Sequence, residues 1–598
     1  MAELTLPDRA TLCAAFDTAV REIDEARDRR MLTNGFYAKI GDSIFNAGYQ
    51  ALQDFVGAQA APSAQPPRLH VVSAPAGGGK TSFAKALLAA VVRATESGPN
   101  GPLGCLFLTD QRERADETYR DLAKLIPGRV AIWTADHDPN CKTPEKVKDP
   151  AARFAAHELA DYPVVVTTYA FYKGSRGALA REFAQGGSRR PRALTFGDER
   201  PPNEVAVFEV TLSEAEQARE FIQQDPAKQE AAGPHVAALV RFMQDRTHCS
   251  RDLEKPDDAP EAWAVSNDLW WFRTQEAAQF AKRCPNTVPV DRVFGYARSV
   301  AEGYAFIARS HGGKGITRFV GYQSNLLRTH GMVLLDATAD IDGVQQVCPW
   351  RVLQETARAR YDNLEIVHVP PPTREKLYTF FTYAKNRTEY ARWMRATILE
   401  HMQPGQRGLI VCKKTLFDND NMPGDLDSKC PVKSSDLHTG GYCIDIGGRK
   451  LAATYWGHGI GANAWKDADV VFLFDEFHTP RRASITNAQG LQGHKATEGA
   501  LATMRTQNSR AAKVDALSEG HLLRWSKQMC LRGNARSFDE HGLCGPQKLV
   551  CSGDQQRLLR NVNTLYPGAK VSLIAPQRGE KLNRTEALLA IFSDPDLP

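Results

Sequence analysis

The stretch Leu69-His70-Val71-Val72-Ser73-Ala74-Pro75-Ala76-Gly77-Gly78-Gly79-Lys80-Thr81-Ser82 decides how this chain folds. A short apolar run enters three consecutive glycines, and the helix-forming segment from Phe83 to Ala94 leaves them. A phosphate needs backbone N–H groups turned inward around it, and a glycine-rich loop lets the backbone curl that tightly. Ala76, Gly77, Gly78 and Gly79 supply the loop, while Lys80 is placed to reach the outer phosphates and Thr81 to reach Mg²⁺. A helix opening near Ser82 points its positive end at the anion. Strand, loop and helix agree, so the sequence predicts a nucleoside triphosphate site on the turn between them.

Outward from the loop, apolar runs at Cys105 to Thr109, Val130 to Thr134 and Val164 to Thr168 alternate with the helical run Arg114 to Ile126. Repeated units of this length predict a parallel sheet with helices on both faces. Before the loop, residues 1–60 read as a helical N-terminal segment, because Leu12, Phe16, Val20 and Ile23 recur at helical spacing. A Pro/Ala/Gln-rich linker follows at 61–67. Between about 203 and 315 the alternation stops, and the segment reads as an inserted domain. It resumes at Met332 to Leu335, Leu409 to Cys412, Ala452 to Tyr455 and Val470 to Phe474. The expected fold is α/β: a first parallel-sheet domain at 65–345 carrying the insertion, a second at 370–545, and a basic C-terminal extension at 546–598.

The 598 residues are 42% hydrophobic and 24% charged, which excludes a collagenous or largely disordered chain. No apolar run approaches the roughly 18 residues of a membrane span, and the charged N-terminus has no signal-peptide pattern. The cytoplasm is the expected compartment, with no membrane partner. The 12 cysteines show no C-x-x-C pair, so they read as reduced thiols and match no common metal template. Net charge is +5, but residues 501–598 carry 14 Lys and Arg against 9 Asp and Glu, and residues 201–262 carry 6 against 13. The acidic segment is unsuited to lie along a phosphate backbone.

A nucleotide hydrolase also needs one carboxylate to organise Mg²⁺ and another to orient water, at the end of a neighbouring strand. Asp198-Glu199 follows Ala193-Leu194-Thr195-Phe196-Gly197, and Asp475-Glu476 follows Val470 to Phe474. The second is the better strand by composition. Position favours Asp198 and Glu199, because Asp475 lies in the other α/β unit.

In order, the chain shows the loop, Leu108-Thr109-Asp110 opening a helix with Arg112 and Arg114, Val165-Val166-Thr167-Thr168-Tyr169, and Asp198-Glu199. Then come Leu335-Asp336-Ala337-Thr338-Ala339, Gly408 to Val411, Gly457 to Asn463, and Gln528-x3-Arg532-x3-Arg536. This order resembles superfamily 2 helicases, the DEAD-box-like nucleic-acid-dependent ATPases built from two RecA-like domains. The resemblance implies ATP as the nucleotide, Mg²⁺ held by Thr81 and Asp198, and Glu199 on the attacking water. It implies Arg532 and Arg536 as arginine fingers, although Arg536 falls eight residues after Gln528 where the family pattern has seven. Thr109, Arg112, Thr167 and Thr168 would contact a strand backbone. Thr338 would couple that contact to hydrolysis, with Asp336 in the usual serine's place. The partner implied is nucleic acid, with DNA favoured over RNA and the choice between them left open, and protein partners possible.

The long gap from Glu199 to Asp336 resembles helicases with an inserted domain, such as the iron–sulfur branch, but the four clustered cysteines of that branch are absent. The Trp/Phe cluster at 263–272 reads as the core of a small domain or as a platform for stacked bases. His458 and His478 read as structural. Two rivals stand beside a helicase: a duplex translocase or remodelling ATPase with the same motor residues, and a nucleic-acid-binding scaffold that binds nucleotide and hardly turns it over.

Overall fold

The structure is a computed structural model. It describes residues 6–27, 31, 35–60, 67–98, 101–137, 154–174, 176–185, 188–201, 204–249, 261–262, 267–309, 317–324, 328–373, 375, 377–416, 441–458, 464–502 and 512–574. The 61–66 part of the linker, Trp263, residues 459–463 and the end of the chain from 575 lie outside the described residues.

In chain order the first domain lays down β1 (Leu69–Val72), β2 (Cys105–Thr109), β3 (Val130–Trp133) and β4 (Val164–Thr168), a hairpin of β5 (Glu182–Gln185) and β6 (Ser188–Pro191), and β7 (Leu194–Asp198). The insertion contributes β8 (Val205–Val210), β9 (Glu261–Ala262), β10 (Ala305–Arg309) and β11 (Thr317–Ser324). The chain then returns through β12 (Met332–Leu335) and β13 (Arg351–Gln354). The first sheet has seven strands in the order β13-β1-β12-β7-β2-β4-β3, all parallel. Its inner strands are buried throughout, as a sheet covered on both faces requires.

The second domain has β14 (Leu364–His368), β15 (Arg407–Cys412), β16 (Ile444–Ile446), β17 (Arg449–Tyr455), β18 (Val470–Leu473), β19 (Gln547–Cys551) and β20 (Lys570–Leu573). Their order is β16-β17-β15-β18-β19-β14-β20, parallel except for the edge strand β16. The chain is thus α/β, with two parallel-sheet domains, an inserted domain and a helical N-terminal segment.

Several expected boundaries move. The first domain does not stop at 345, because β13 pairs with β1 from Leu69↔Arg351 to Val72↔Gln354. Its sequence, RVLQ, is too short and polar to announce a strand. The second sheet begins before 370, with β14. The piece expected as an extension from 546 holds β19, the helix Gln555–Leu565 and β20, so its described part belongs to the second domain. The N-terminal helices Arg9–Arg27 and Gly35–Ala60 share the core of the first domain, where Phe16, Ile40 and Ile44 are buried with Phe83 and Leu87 of the helix after the loop.

The insertion folds as an antiparallel sheet, β8-β11-β10-β9, with helices over one face. Trp271 and Phe272 belong to its core, and Trp271 stacks on His235 with ring centroids 4.4 Å apart; Trp270 is 61% exposed. The other face is covered from the second domain. Val205, Phe306 and Tyr322 share a core with Ile485, Ala488 and Val514, and Arg482 holds Glu209 through two bonds of 2.9 and 3.0 Å. Among the described residues no helix is long and apolar enough to cross a membrane.

Candidate functional site

The parallel register sets three strand ends side by side, Val72↔Leu335 and Leu335↔Asp198. The loop after β1, Asp336 after β12 and Glu199 after β7 therefore meet at the carboxyl edge of the sheet, where open α/β sheets hold their ligands. Gly77 and Gly79 take φ of +88° and +77°, a region that costs other residues about 1 to 2 kcal/mol. Left-handed Gly79 caps the helix Lys80–Glu96, which starts at Lys80 rather than near Ser82. Ser82 is buried in its first turn.

Lys80 is 8% exposed and donates to the carbonyls of Ala74 at 2.7 Å and Pro75 at 3.1 Å. Burial pushes its ammonium down to about 8, against the pull of Glu199, Asp198 and Asp336. Thr81 Oγ1 donates to Asp198 Oδ1 at 3.0 Å, which joins the loop to a strand end 117 residues later. A Cβ placed on Gly77 would lie 2.1 Å from the Arg536 carbonyl, so the second domain is seated directly on the loop.

Glu199 sits at φ +65°. Its backbone is held on both sides: the N–H donates to the Leu335 carbonyl at 2.9 Å, and its own carbonyl accepts from the Tyr169 hydroxyl at 2.9 Å. Arg114 Nη1 lies 3.5 Å from Glu199 Oε1 and 3.6 Å from Asp198 Oδ2. Burial raises the Asp198 carboxyl above its ordinary value. For Glu199 burial acts in the same sense, but Arg114, Arg532 and Lys80 outweigh it and hold the group below its usual range. Burial and the Glu199 charge push Asp110 up to about 6. From the second domain, Arg532 is 3% exposed and burial brings it down to about 10; burial also lowers Arg536.

The oxygen donors Thr81 and Asp198 suit a hard cation such as Mg²⁺, and the glycine cradle with a buried ammonium suits a polyphosphate. Beside the pair opens a cleft of about 720 Å³ between the two domains, lined by Asp110, Glu199 and Arg200 on one side and His458, Arg524 and Trp525 on the other.

The residues expected to meet a nucleic-acid strand lie at or just after the ends of β2, β4 and β12. Thr109 and Thr167 are fully buried, and Thr167 Oγ1 donates to the Trp133 carbonyl at 2.6 Å. Thr168 is 8% exposed and caps the helix Tyr169–Lys173. Thr338, 1% exposed, donates to Asp336 Oδ1 at 2.8 Å and accepts from Gln528 Nε2 of the second domain at 3.3 Å. Thr109 and Thr168 serve the backbone of the segment that follows their strand, whereas Thr167 serves a neighbouring strand and Thr338 bonds side chains. Arg112 is half exposed and pairs with Asp136 at 2.7 Å.

In the second domain, Asp475 has φ +63° and bonds Lys413 at 2.8 Å, while buried Glu476 bonds Arg557 at 2.6 Å and lies 3.3 Å from His478. This pair is already balanced by its own cations. Arg114, Tyr169 and Gln528 have no role at the site in the sequence reading above. The only signal for them was their place in the ordered segments quoted above.

No family model matches the chain, and no curated protein matches it. Among solved structures the chain is similar to S. tokodaii Xpd4, at 11% identity and TM-score 0.47, covering 88% of this chain and 99% of that one. It is similar to S. cerevisiae Dbp5 bound to RNA and ADP BeF3, at 10% identity and TM-score 0.33, covering 94% and 100%. The Escherichia coli DEAH/RHA helicase HrpB is similar at 12% identity and TM-score 0.28, covering 87% of this chain and 43% of that one.

Proposed function

We propose that the chain is a nucleic-acid-dependent ATPase of the superfamily 2 kind, a helicase or translocase that hydrolyses ATP at the loop of its first domain. The observation that carries this reading is the 3.0 Å contact from Thr81 to Asp198, which brings a phosphate loop and a strand-end carboxylate into one site beneath the second domain. Lys80 exchanges the two loop carbonyls for phosphate oxygens. Thr81 and Asp198 are the residues that would hold Mg²⁺, whose charge, when bound, neutralises the oxygens of the outer phosphates. Glu199 orients the attacking water and takes its proton. Arg532 approaches from the opposite domain and balances charge on the transferring phosphoryl group; Arg536 follows it on the same side.

Both domains contribute to one site, so turnover and domain movement are linked, and the Thr338–Gln528 bond is a direct mechanical connection. Alternate gripping of a strand by the two domains would convert that movement into translocation.

The test is ATP hydrolysis with no polymer, with single-stranded DNA, with duplex DNA and with RNA, on wild type and Lys80→Ala. One polymer should stimulate turnover and thereby name the track, and Lys80→Ala should lose at least about 10²-fold. A strand-displacement assay separates a helicase from a duplex translocase. Tight ATP binding without stimulation by any polymer would favour the scaffold, and full activity in Lys80→Ala would sink the proposal.

A further inference from the structure

We propose that Arg114 is a positioning residue of this site: its guanidinium fixes the direction of the Glu199 side chain, so that the carboxylate faces the reacting end of the nucleotide. The inference deepens the function proposed above and rests on Glu199 serving the hydrolytic step.

Glu199 needs such a partner. Its backbone is pinned in the left-handed region by Leu335 and Tyr169, which fixes where the side chain starts and leaves its own torsions unset. Asp198 is adjacent, with its Oδ1 engaged by Thr81. Arg114 Nη1 lies between the two carboxylates, 3.5 Å from Glu199 Oε1 and 3.6 Å from Asp198 Oδ2, with a side chain 19% exposed. One cation therefore draws both acids toward the same point and offsets their mutual repulsion.

The location of Arg114 supports the assignment. It stands in the first turn of the helix Arg112–Leu125, where the helix dipole favours an acid and disfavours a cation. Its neighbour two residues earlier, Arg112, is committed to Asp136 and is half exposed. Arg114 alone on this turn is turned inward to the pair at the end of β7. Arg532 and Arg536 come from the second domain, whereas Arg114 belongs to the same domain as Glu199, on the helix that follows β2.

A positioning role differs from a merely structural one in what it moves. Removing Arg114 should misdirect Glu199 and slow the chemical step without loosening ATP, whose phosphates are held by the loop. The experiment compares wild type, Arg114→Ala, Arg114→Lys, Glu199→Gln and the double variant Arg114→Ala/Glu199→Gln in steady-state ATP hydrolysis. Arg120→Ala, on the exposed face of the same helix, serves as the control. The kcat of Arg114→Ala should fall by about 10²-fold with KM for ATP unmoved. Arg114→Lys should recover part of that loss, and Arg114→Ala should cost nothing further once Glu199 is Gln.

A fall in kcat that persists undiminished in the Glu199→Gln background, or a rise in KM with kcat intact, would overturn the proposal. Thermal unfolding of wild type, Arg114→Ala, Glu199→Gln and the double variant without nucleotide gives a readout independent of turnover. The two substitutions should be non-additive in the midpoint, and strict additivity would overturn the pairing. A wild-type protein inert with every polymer would instead defeat the function proposed above, and the unfolding cycle would still decide whether Arg114 positions Glu199.

Discussion

Among the described residues no carboxylate forms an ion pair with the buried Lys80 ammonium, and its two loop carbonyls compensate only part of its desolvation. That has a measurable consequence. Burial lowers the Lys80 ammonium to about 8 with no nucleotide bound, whereas a bound triphosphate needs it charged. Binding above about pH 8 must therefore take up a proton, and the ATP dissociation constant should rise by up to about tenfold per pH unit from there. Titration calorimetry at pH 7, 8 and 9 checks this, and a constant affinity over that range would refute it. Gly77 carries the second residue-scale prediction. Its φ of +88° and the Arg536 carbonyl 2.1 Å from any Cβ leave no room for a side chain. Gly77→Ala should fold, lose about 1 to 2 kcal/mol in urea unfolding, and lose ATP hydrolysis because the second domain can no longer sit on the loop. Wild-type turnover in that variant would contradict the seating.

Between elements, a buried ion network ties the start of the insertion to the sheet. Glu204 bonds Arg351 of β13 at 2.8 Å and Arg200 at 2.6 Å, and Arg200 also reaches Asp342 at 3.2 Å. Burial opposes the charged carboxyl, but the two guanidiniums prevail and bring Glu204 down to about 2 from an ordinary 4.5. A carboxyl depressed in this way stabilises the fold above the unfolded value, and the stabilisation disappears as pH falls from about 4.5 toward 2. Glu204→Gln should thus cost about 3 to 5 kcal/mol at pH 7, with the gap to wild type closing below pH 4.5; urea midpoints from pH 7 to pH 3 test it. The same segment shows what sequence reading can and cannot reach. Lys80 and its loop were legible because strand, glycines and helix are contiguous. The meeting of Glu204, Arg351 and Asp342 was not, since it depends on which strands become neighbours. Likewise β13 pairs with β1 although 282 residues separate their first members, Leu69 and Arg351, and nothing local marks RVLQ as its edge strand.

At the scale of the whole molecule, two seven-stranded sheets face each other across one cleft, and the insertion of the first domain is packed against helices of the second. The order of segments announced two α/β units and an inserted domain. It did not announce that the insertion and the second domain would share an apolar core, because Val205 and Ile485 read alone as ordinary buried residues. Nor did it reveal that the hydroxyls of Thr109, Thr167 and Thr338 would face inward, which only the packing of each strand end decides. Two strand-end Asp-Glu pairs were visible from the start, and their surroundings separate them: Asp198 meets Thr81 of the loop, while Asp475 and Glu476 are balanced by Lys413 and Arg557 within their own domain. The most direct measurement is polymer-stimulated ATP hydrolysis by Glu199→Gln and Glu476→Gln beside wild type, with circular dichroism to show that both are folded. The account predicts that Glu199→Gln loses about 10²-fold or more in kcat while Glu476→Gln keeps its turnover. Loss confined to Glu476→Gln would place the chemistry in the second domain and contradict the account.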